Sequence, residues 1–556
     1  MISGWPIFSV KIMNERHIHR LTITGVITMR FMLPLVICMS CGFHLQFSYE
    51  CRAETTFVKP RLSNAISAIG DDDLKRHVDI LADDTFEGRG AGTRGGRAAA
   101  GYLREQLISM GLKPAGNKGQ YSQPFRNDCQ NLLAVVPGSD SQLRDEYILI
   151  GAHYDHVGYG SKRNSYGPTG YIHNGADDNA SGTSALLEIA EALTINPCRR
   201  NIIIAFWDGE EQGLWGSKHF ITKPTIPIDQ IKLAVNMDMV GRLRNNELTI
   251  YGTRTWNGAR SVIASVNSAP INHQPFKIVF DWEIKANSDH HPFYNNRIPY
   301  LMPHTGLHDD YHRPRDDAHK INAQGIESVA KFTYRMLLEI DTQDSIPSFR
   351  DSAKRESPRT KKRFEVPLPP TPKRLGVAWK PATSMTNGLL ITSVARRSPA
   401  MQAGIKSGDV ILAFNGITVD NDEAMRNAVF SAPVISQITI LSRGGEAAEI
   451  KDITLRGQPM RIGISWRNDA AEPSTSMISR VVPGSPADVA GLKFADRIHA
   501  VNGIPWSDTA AESHPLNNIA LPFTIDYERN GRIYSTKLIA PHNRRLLDLS
   551  GIDRDK

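Results

Sequence analysis

Between about residues 60 and 340 the chain alternates short apolar runs with longer amphipathic ones. Tyr147-Ile148-Leu149-Ile150, Asn201-Ile202-Ile203-Ile204-Ala205-Phe206 and Leu233-Ala234-Val235-Asn236-Met237 read as buried strands. Between the first two, the stretch from Ser181 to Leu193 puts Ala185, Leu186, Ile189, Ala190 and Leu193 on one helical face, which predicts a helix packed on a sheet. Strands alternating with such helices predict a layered α/β domain.

The pattern changes over residues 341–372. Pro347, Pro358, Pro367, Pro369 and Pro370 are interleaved there with Lys354, Arg355, Arg359, Lys361, Lys362 and Arg363. This composition predicts an extended, solvated linker, the alternative being a basic patch that touches an acidic surface. Beyond it the sequence repeats. Arg374-Leu375-Gly376-Val377-Ala378-Trp379 returns as Arg461-Ile462-Gly463-Ile464-Ser465-Trp466, a shift of 87 residues from Arg374 to Arg461. Ser398-Pro399-Ala400, Ala403-Gly404-Ile405 and Asn415-Gly416-Ile417 return at the same offset. Two copies of one small domain therefore follow each other, over about 373–456 and 459–542.

Composition narrows the class. At 556 residues, 40% hydrophobic and 22% charged, the chain is an ordinary globular one of several domains. The net charge of +7 is small for this length, and its basic excess concentrates near 350–374, so nucleic-acid binding is not indicated. Residues 1–55 read as a leader. Arg30 precedes an apolar stretch from Phe31 to Phe47, and Ala53 in Cys51-Arg52-Ala53 suits a signal-peptidase cut. Export to the periplasm or the exterior is expected, with Met29 or Met32 as the true start. The alternative is an uncleaved leader that anchors the chain in a membrane. Cys38 and Cys41 match a lipid-attachment pattern poorly. With Cys38, Cys41 and Cys51 in the leader, only Cys129 and Cys198 remain, which excludes a cysteine-based zinc site and allows a single bridge between them.

The candidate chemistry gathers at strand ends, where the loops of α/β sheets converge. His153-Tyr154-Asp155 follows the first strand. Residues two apart on extended chain face the same way, so Asp155 is expected to orient the His153 ring. Asp177-Asp178 opens the amphipathic helix, one aspartate being expected to cap or support and the other to point inward. Glu210-Glu211 follows the second strand, and adjacent side chains diverge, so one can bind a metal while the other handles a proton. Asp238 ends the third strand, and His312 lies in Asp310-Tyr311-His312-Arg313. Singly, each has a bland reading as a cap, an acidic turn or a surface histidine. Together, Asp178, Glu211 and Asp238 bring three negative charges that two zinc ions would more than neutralise. His156, His173, His219, His291, His304 and His308 compete on paper, and most of them are expected to be structural or exposed.

In this order the elements resemble the zinc aminopeptidase family that also contains glutamate carboxypeptidases and glutaminyl cyclases, over about residues 70–340. The resemblance implies a mixed sheet flanked by helices and two zinc ions as cofactors. His153 and Asp238 would hold one ion, Glu211 and His312 the other, Asp178 would bridge them, and Glu210 would act as general base. Glu87-Gly88-Arg89, Gly92-Thr93 and Pro114-Ala115-Gly116 also look like the family's N-terminal segment. Ser288-Asp289-His290 resembles its pocket-lining loop, which makes Asp289 and His290 candidates for substrate contact. Both C-terminal repeats resemble PDZ domains of bacterial envelope proteases. In these, Leu375-Gly376-Val377 and Ile462-Gly463-Ile464 occupy the loop that captures a peptide carboxylate, although one glycine stands where two are usual. The alternative is that the repeats only brace the catalytic domain or self-associate.

An exported zinc metallopeptidase of the aminopeptidase type is therefore expected, acting on peptides, with PDZ-like modules for C-terminal peptide ligands. The competing readings are a carboxypeptidase or other amide hydrolase on the same metal core, and a catalytically silent PDZ binding protein. The sequence assigns no oligomeric state.

Overall fold

The computed structural model describes residues 60–269, 274–370, 373–381, 388–459, 462–508, 516 and 519–539. The expected leader, its three cysteines and Arg461 lie outside them. The first nine strands are β1 (Lys113–Pro114), β2 (Ser122–Pro124), β3 (Gln130–Val136), β4 (Tyr147–His153), β5 (Asn201–Trp207), β6 (Ile231–Asn236), β7 (Glu247–Tyr251), β8 (Lys277–Asp281) and β9 (Tyr300–His304). Among the described residues they form one mixed sheet in the order β1-β3-β5-β4-β6-β9-β7-β8, with β2 beside β3. Strands β5, β4, β6 and β9 run parallel, while β3 and β7 are antiparallel to their neighbours β5 and β9.

The apolar runs of β4, β5 and β6 have no polar face because helices cover both sides. Ile148, Ile150, Ile202, Ile204, Phe206 and Val235 pack into one core, which also holds Leu186, Ile189 and Leu193 from the helix Gly182–Ile195 and Val329 and Leu337 from the helix Ala323–Asp341. Leu149, Ile203, Ala205 and Trp207 face the other way, into a second core with Phe220 and Phe293 from the helices Trp215–Thr222 and His290–Asn295. Parallel pairing sets His153 opposite Trp207 and Gly151 opposite Asn236. The residues that follow β5 and β6 thus emerge beside His153.

Cys129 and Cys198, between which the sequence allows a bridge, are both free and buried. No helix among the described residues is long and apolar enough to cross a membrane.

The stretch expected as an extended, solvated tether is folded in part. It contains a short turn, Asp351–Arg355, and a helix, Pro358–Glu365. Pro358 sits in the first helical turn, where its missing N–H costs nothing, and the Ser357 side chain caps the helix by accepting from the Thr360 amide. Ile346 and Ala353 are buried. Proline marks a helix start here, not a break.

The repeat persists in three dimensions. The first copy contains β10 (Val377–Pro381), β11 (Leu389–Val394), β12 (Val410–Phe414), β13 (Ile417–Thr418), β14 (Ile435–Leu441) and β15 (Ala448–Thr454). The second contains β16 (Ile464–Asn468), β17 (Ser476–Val481), β18 (Arg497–Val501), β19 (Ile504–Pro505), β20 (Phe523–Arg529) and β21 (Arg532–Leu538). Both sheets have the same strand order, β10-β11-β12-β14-β15 and β16-β17-β18-β20-β21. Gly376 (φ 82°) and Gly463 (φ 80°) hold the same left-handed turn, and a Cβ on either would lie 2.3 or 2.1 Å from the Cβ of Ser398 or Ser485. One glycine is thus required in each loop.

The second repeat is docked on the domain of the nine-stranded sheet. Arg254 donates to Asp469 (2.9 Å) and to Glu356, and its guanidinium stacks on Trp282 at 3.8 Å. Arg260 pairs with Glu528 at 2.7 Å, and Glu472 accepts the Arg260 and Ser261 amides. The Ile278 amide of edge strand β8 donates to Asn530 in the β20–β21 turn (3.0 Å), which covers part of that edge. Burial alone would raise the Asp469 carboxyl, but hydrogen bonds from Arg254 and the charge of Arg497 outweigh it and hold Asp469 well below its ordinary 3.8. A carboxyl depressed on folding adds stability that is present above its ordinary value and lost as pH falls through the folded one. Arg254→Ala should therefore weaken the docking by on the order of 3 kcal/mol, and acidification below about pH 4 should loosen the intact protein in the same place. Hydrogen exchange in β20 and β21 reads both effects.

Candidate metal centre and active site

Asp178 lies in the tight turn Ala176–Ser181, which enters the helix Gly182–Ile195. Its two oxygens point to different partners. Oδ1 is 3.3 Å from His153 Nε2, which is itself 3.4 Å from Asp238 Oδ1. Oδ2 is 3.0 Å from His312 Nε2, which is 3.2 Å from Glu211 Oε2. A carboxylate divided in this way is placed to bridge two cations. Asp177 turns outward from the centre: it accepts from the Ser181 hydroxyl (3.1 Å) and the Gly241 amide (2.6 Å) and pairs with His308 at 3.1 Å.

Several buried atoms here have no hydrogen-bond partner: His312 Nε2, Asp238 Oδ1, Glu211 Oε1 and both ring nitrogens of His156. Donor atoms of His153, Asp178 and Asp238 lie within 4.8 Å of one another, and so do those of His156, Asp178, Glu211 and His312. Unpaired buried donors and acceptors are costly unless something else satisfies them. Imidazole and carboxylate at this spacing suit zinc. The electrostatics agree. Burial would raise the Asp178 carboxyl, yet the His153 and His312 rings beside its two oxygens hold it well below the usual range. Burial would lower His312, yet Asp178 and Glu211 push it up to about 11. The carboxylates draw positive charge toward them.

Glu210 differs from Glu211. Burial pushes its carboxyl well above the ordinary range, with the nearby His153 charge opposing. Raised affinity for a proton next to a metal centre is what a general base needs.

Asp155 does not do what residue spacing suggests. Its carboxylate is 3.8 Å from His153 Nδ1, too far for a hydrogen bond, and its backbone oxygen lies 3.1 Å from that nitrogen instead. The carboxylate accepts the Glu210 amide on Oδ1 (3.0 Å) and the Glu211 amide on Oδ2 (3.3 Å). The chain turns after β4, so the period of extended strand no longer applies. Asp155→Ala should lower kcat by about 10–100-fold with the fold retained, because it frees the backbone that sets both glutamates; steady-state kinetics beside a thermal melt check this.

Asp289 and His290 are buried. Ser217 donates to Asp289 Oδ1, and Oδ2 has no partner. Burial raises the Asp289 carboxyl to about 7, against the charge of His153. His290 Nε2 bonds the Lys285 carbonyl at 2.9 Å, and burial lowers the ring to about 4. Ser288 donates to Asp238 Oδ2 at 2.6 Å and fixes that carboxylate. Arg89, fully buried, donates to the carbonyls of Leu81, Tyr154, Asn174 and Gly175 and so ties the loop after His153 to the turn before Asp178. The supporting roles of Ser288 and Arg89 leave no mark in the sequence beyond their motifs. His156 had a signal, standing three residues after His153.

The sequence profile of peptidase family M28 matches residues 131–337, and PDZ domain profiles match 373–451 and 452–516. The chain is 26% identical over 200 residues to a probable leucine aminopeptidase of Arthroderma otae, covering 34% of this chain and 49% of that protein. It is 23% identical over 232 residues to aminopeptidase YwaD of Bacillus subtilis, covering 39% and 46%. A probable periplasmic serine endoprotease, DegP-like, of Chlamydia pneumoniae is 33% identical over 156 residues, covering 25% and 31%. The chain thus spans about half the length, or less, of these curated relatives. Similar solved structures include the LapA aminopeptidase of Legionella pneumophila (TM-score 0.41, 19% identity, 51% of this chain and 75% of that one). Another is BSAP, a zinc aminopeptidase from Bacillus subtilis (TM-score 0.40, 15% identity, 51% and 98%).

Proposed function

Because the chain carries a peptidase family M28 domain followed by two PDZ domains, we propose that it is an exported, zinc-dependent aminopeptidase. In this reading it uses two ions to remove N-terminal residues from peptides, and its PDZ domains bind peptide or protein partners.

The observation that carries the reading is the division of Asp178, with Oδ1 toward His153 and Oδ2 toward His312, beside the half-buried Glu210. His153, Asp178 and Asp238 would hold one ion, and Asp178, Glu211 and His312 the other. When bound, zinc supplies a Lewis acid that polarises a carbonyl and makes water more acidic. Glu210 takes the proton of the attacking water on a carboxylate oxygen and delivers it to the nitrogen of the leaving amine. Asp155 holds the Glu210 backbone for that transfer. In this reading the unpaired Oδ2 of Asp289 is a candidate contact for the substrate. In the first repeat, Leu375, Gly376, Val377, Trp379, Val429 and Phe430 line one side of a cavity of about 720 Å³, whose other walls come from Pro367 and Leu368 of the linker and from Val481, Pro483 and Phe494 of the second repeat. Its loop and apolar wall suit a C-terminal peptide that adds as a strand. Export predicts a mature chain that begins at Glu54, which mass spectrometry of the secreted protein reads.

Hydrolysis of free and N-blocked aminoacyl amides tests the activity, with and without chelator. Chelator-sensitive cleavage of free substrates alone is expected. Cleavage of blocked substrates alone favours another amide hydrolase, and no turnover favours a binding protein.

A further inference from the structure

Five side chains carry the two-ion reading, and a sixth enters the same cluster. His156 is fully buried, and neither ring nitrogen has a hydrogen-bond partner. Its Nδ1 lies 2.9 Å from Glu211 Oε1 and 3.7 Å from Asp178 Oδ2, and its ring meets that of His312 edge-on with centroids 5.4 Å apart. Tetrahedral donors about 2.0–2.2 Å from a zinc ion sit about 3.3–3.6 Å from one another, close to these separations. The pocket is built for this ring. The His156 amide donates to the Arg89 carbonyl (3.1 Å), and a Cβ on Gly175, at φ 53°, would come within 2.5 Å of the imidazole.

We propose that His156 is a direct ligand of the ion shared by Asp178, Glu211 and His312, so that the two metal positions are inequivalent. This rests on the two-ion reading above. His156, Asp178, Glu211 and His312 close one position with four protein donors. His153, Asp178 and Asp238 form a three-donor position that keeps a coordination place open. Zinc positions closed by four protein donors hold the metal for structure, and those with three leave room for chemistry. The first position therefore retains its ion tightly, and the reaction centres on the second, on the side of His153 and Glu210.

Metal titration of the full chain, read by plasma mass spectrometry and by the visible spectrum of cobalt, tests this. Wild type should bind two ions, one more tightly, the tight one with the intense absorption of tetrahedral cobalt. His156→Ala should weaken the tight ion by more than the about 10–100-fold that loss of an outer-shell partner costs. A smaller loss, with two ions still bound, overturns the assignment. His156→Cys keeps a donor at nearly the same reach and should give a thiolate-to-cobalt charge-transfer band. Two bound cobalt ions without that band also overturn it. Wild type that binds fewer than two ions rejects the two-ion reading itself, and with it this proposal.

Discussion

Glu210→Gln should lower kcat by about 10²–10⁴-fold, the range that a positioned general base contributes, while metal content and melting temperature stay near wild type. Glutamine keeps the size of the side chain and loses the ability to take a proton. The change leaves His153, Asp178, Glu211, Asp238 and His312 in place, and the amide of residue 210 still reaches Asp155 Oδ1. The pH dependence should change with it. Burial raises the Glu210 carboxyl, and a base works only when deprotonated, so wild-type activity should fall as pH drops through that raised value. In the variant this acid limb should disappear from the residual rate. A variant that keeps the acid limb, or loses less than about 10-fold, would assign the proton transfer to another group.

His153, Glu210, Glu211 and Asp238 were legible because each ends or follows an apolar strand whose identity needs no tertiary information, and Asp178 because it opens the amphipathic helix. Parallel pairing of β4, β5 and β6 then brings their ends together. What was not legible depends on turns and on distance along the chain. Spacing alone aims Asp155 at His153, but the chain leaves the extended conformation there, and Asp155 serves the amides of Glu210 and Glu211. His156 joins the cluster because the chain turns after β4 and Gly175 makes room for its ring. The docking of the second repeat joins Arg254 to Asp469, 215 residues away, and no local periodicity encodes such a pair. The prolines of the linker mislead for a local reason. Pro358 with Ser357 before it begins a helix, and composition does not distinguish that from a tether.

Removing the metal should cost both activity and stability, and Asp178 is the residue on which both depend. A ligand present at about 1,000 times its dissociation constant stabilises the folded state by about 4 kcal/mol. In a domain of this size each kcal/mol shifts the melting temperature by about 2–4 °C, so loss of one tight ion should lower the transition of the catalytic domain by roughly 8–16 °C. Without metal, Asp178, Glu211 and Asp238 also face one another in a buried site with unsatisfied atoms. Asp178→Ala removes the carboxylate that reaches both sides, His153 through Oδ1 and His312 through Oδ2. Turnover should fall below detection, bound zinc should drop by more than one ion per chain, and chelator should barely move the melting temperature of the variant. The same substitution also takes from His153 and His312 the carboxylate that both rings hold well below its ordinary range. Compared without metal, Asp178→Ala should therefore melt somewhat below wild type, and compared with metal it should melt well below. Calorimetry with and without chelator separates these cases. If wild type and variant shift equally with chelator, the metal's stabilising contacts do not run through Asp178.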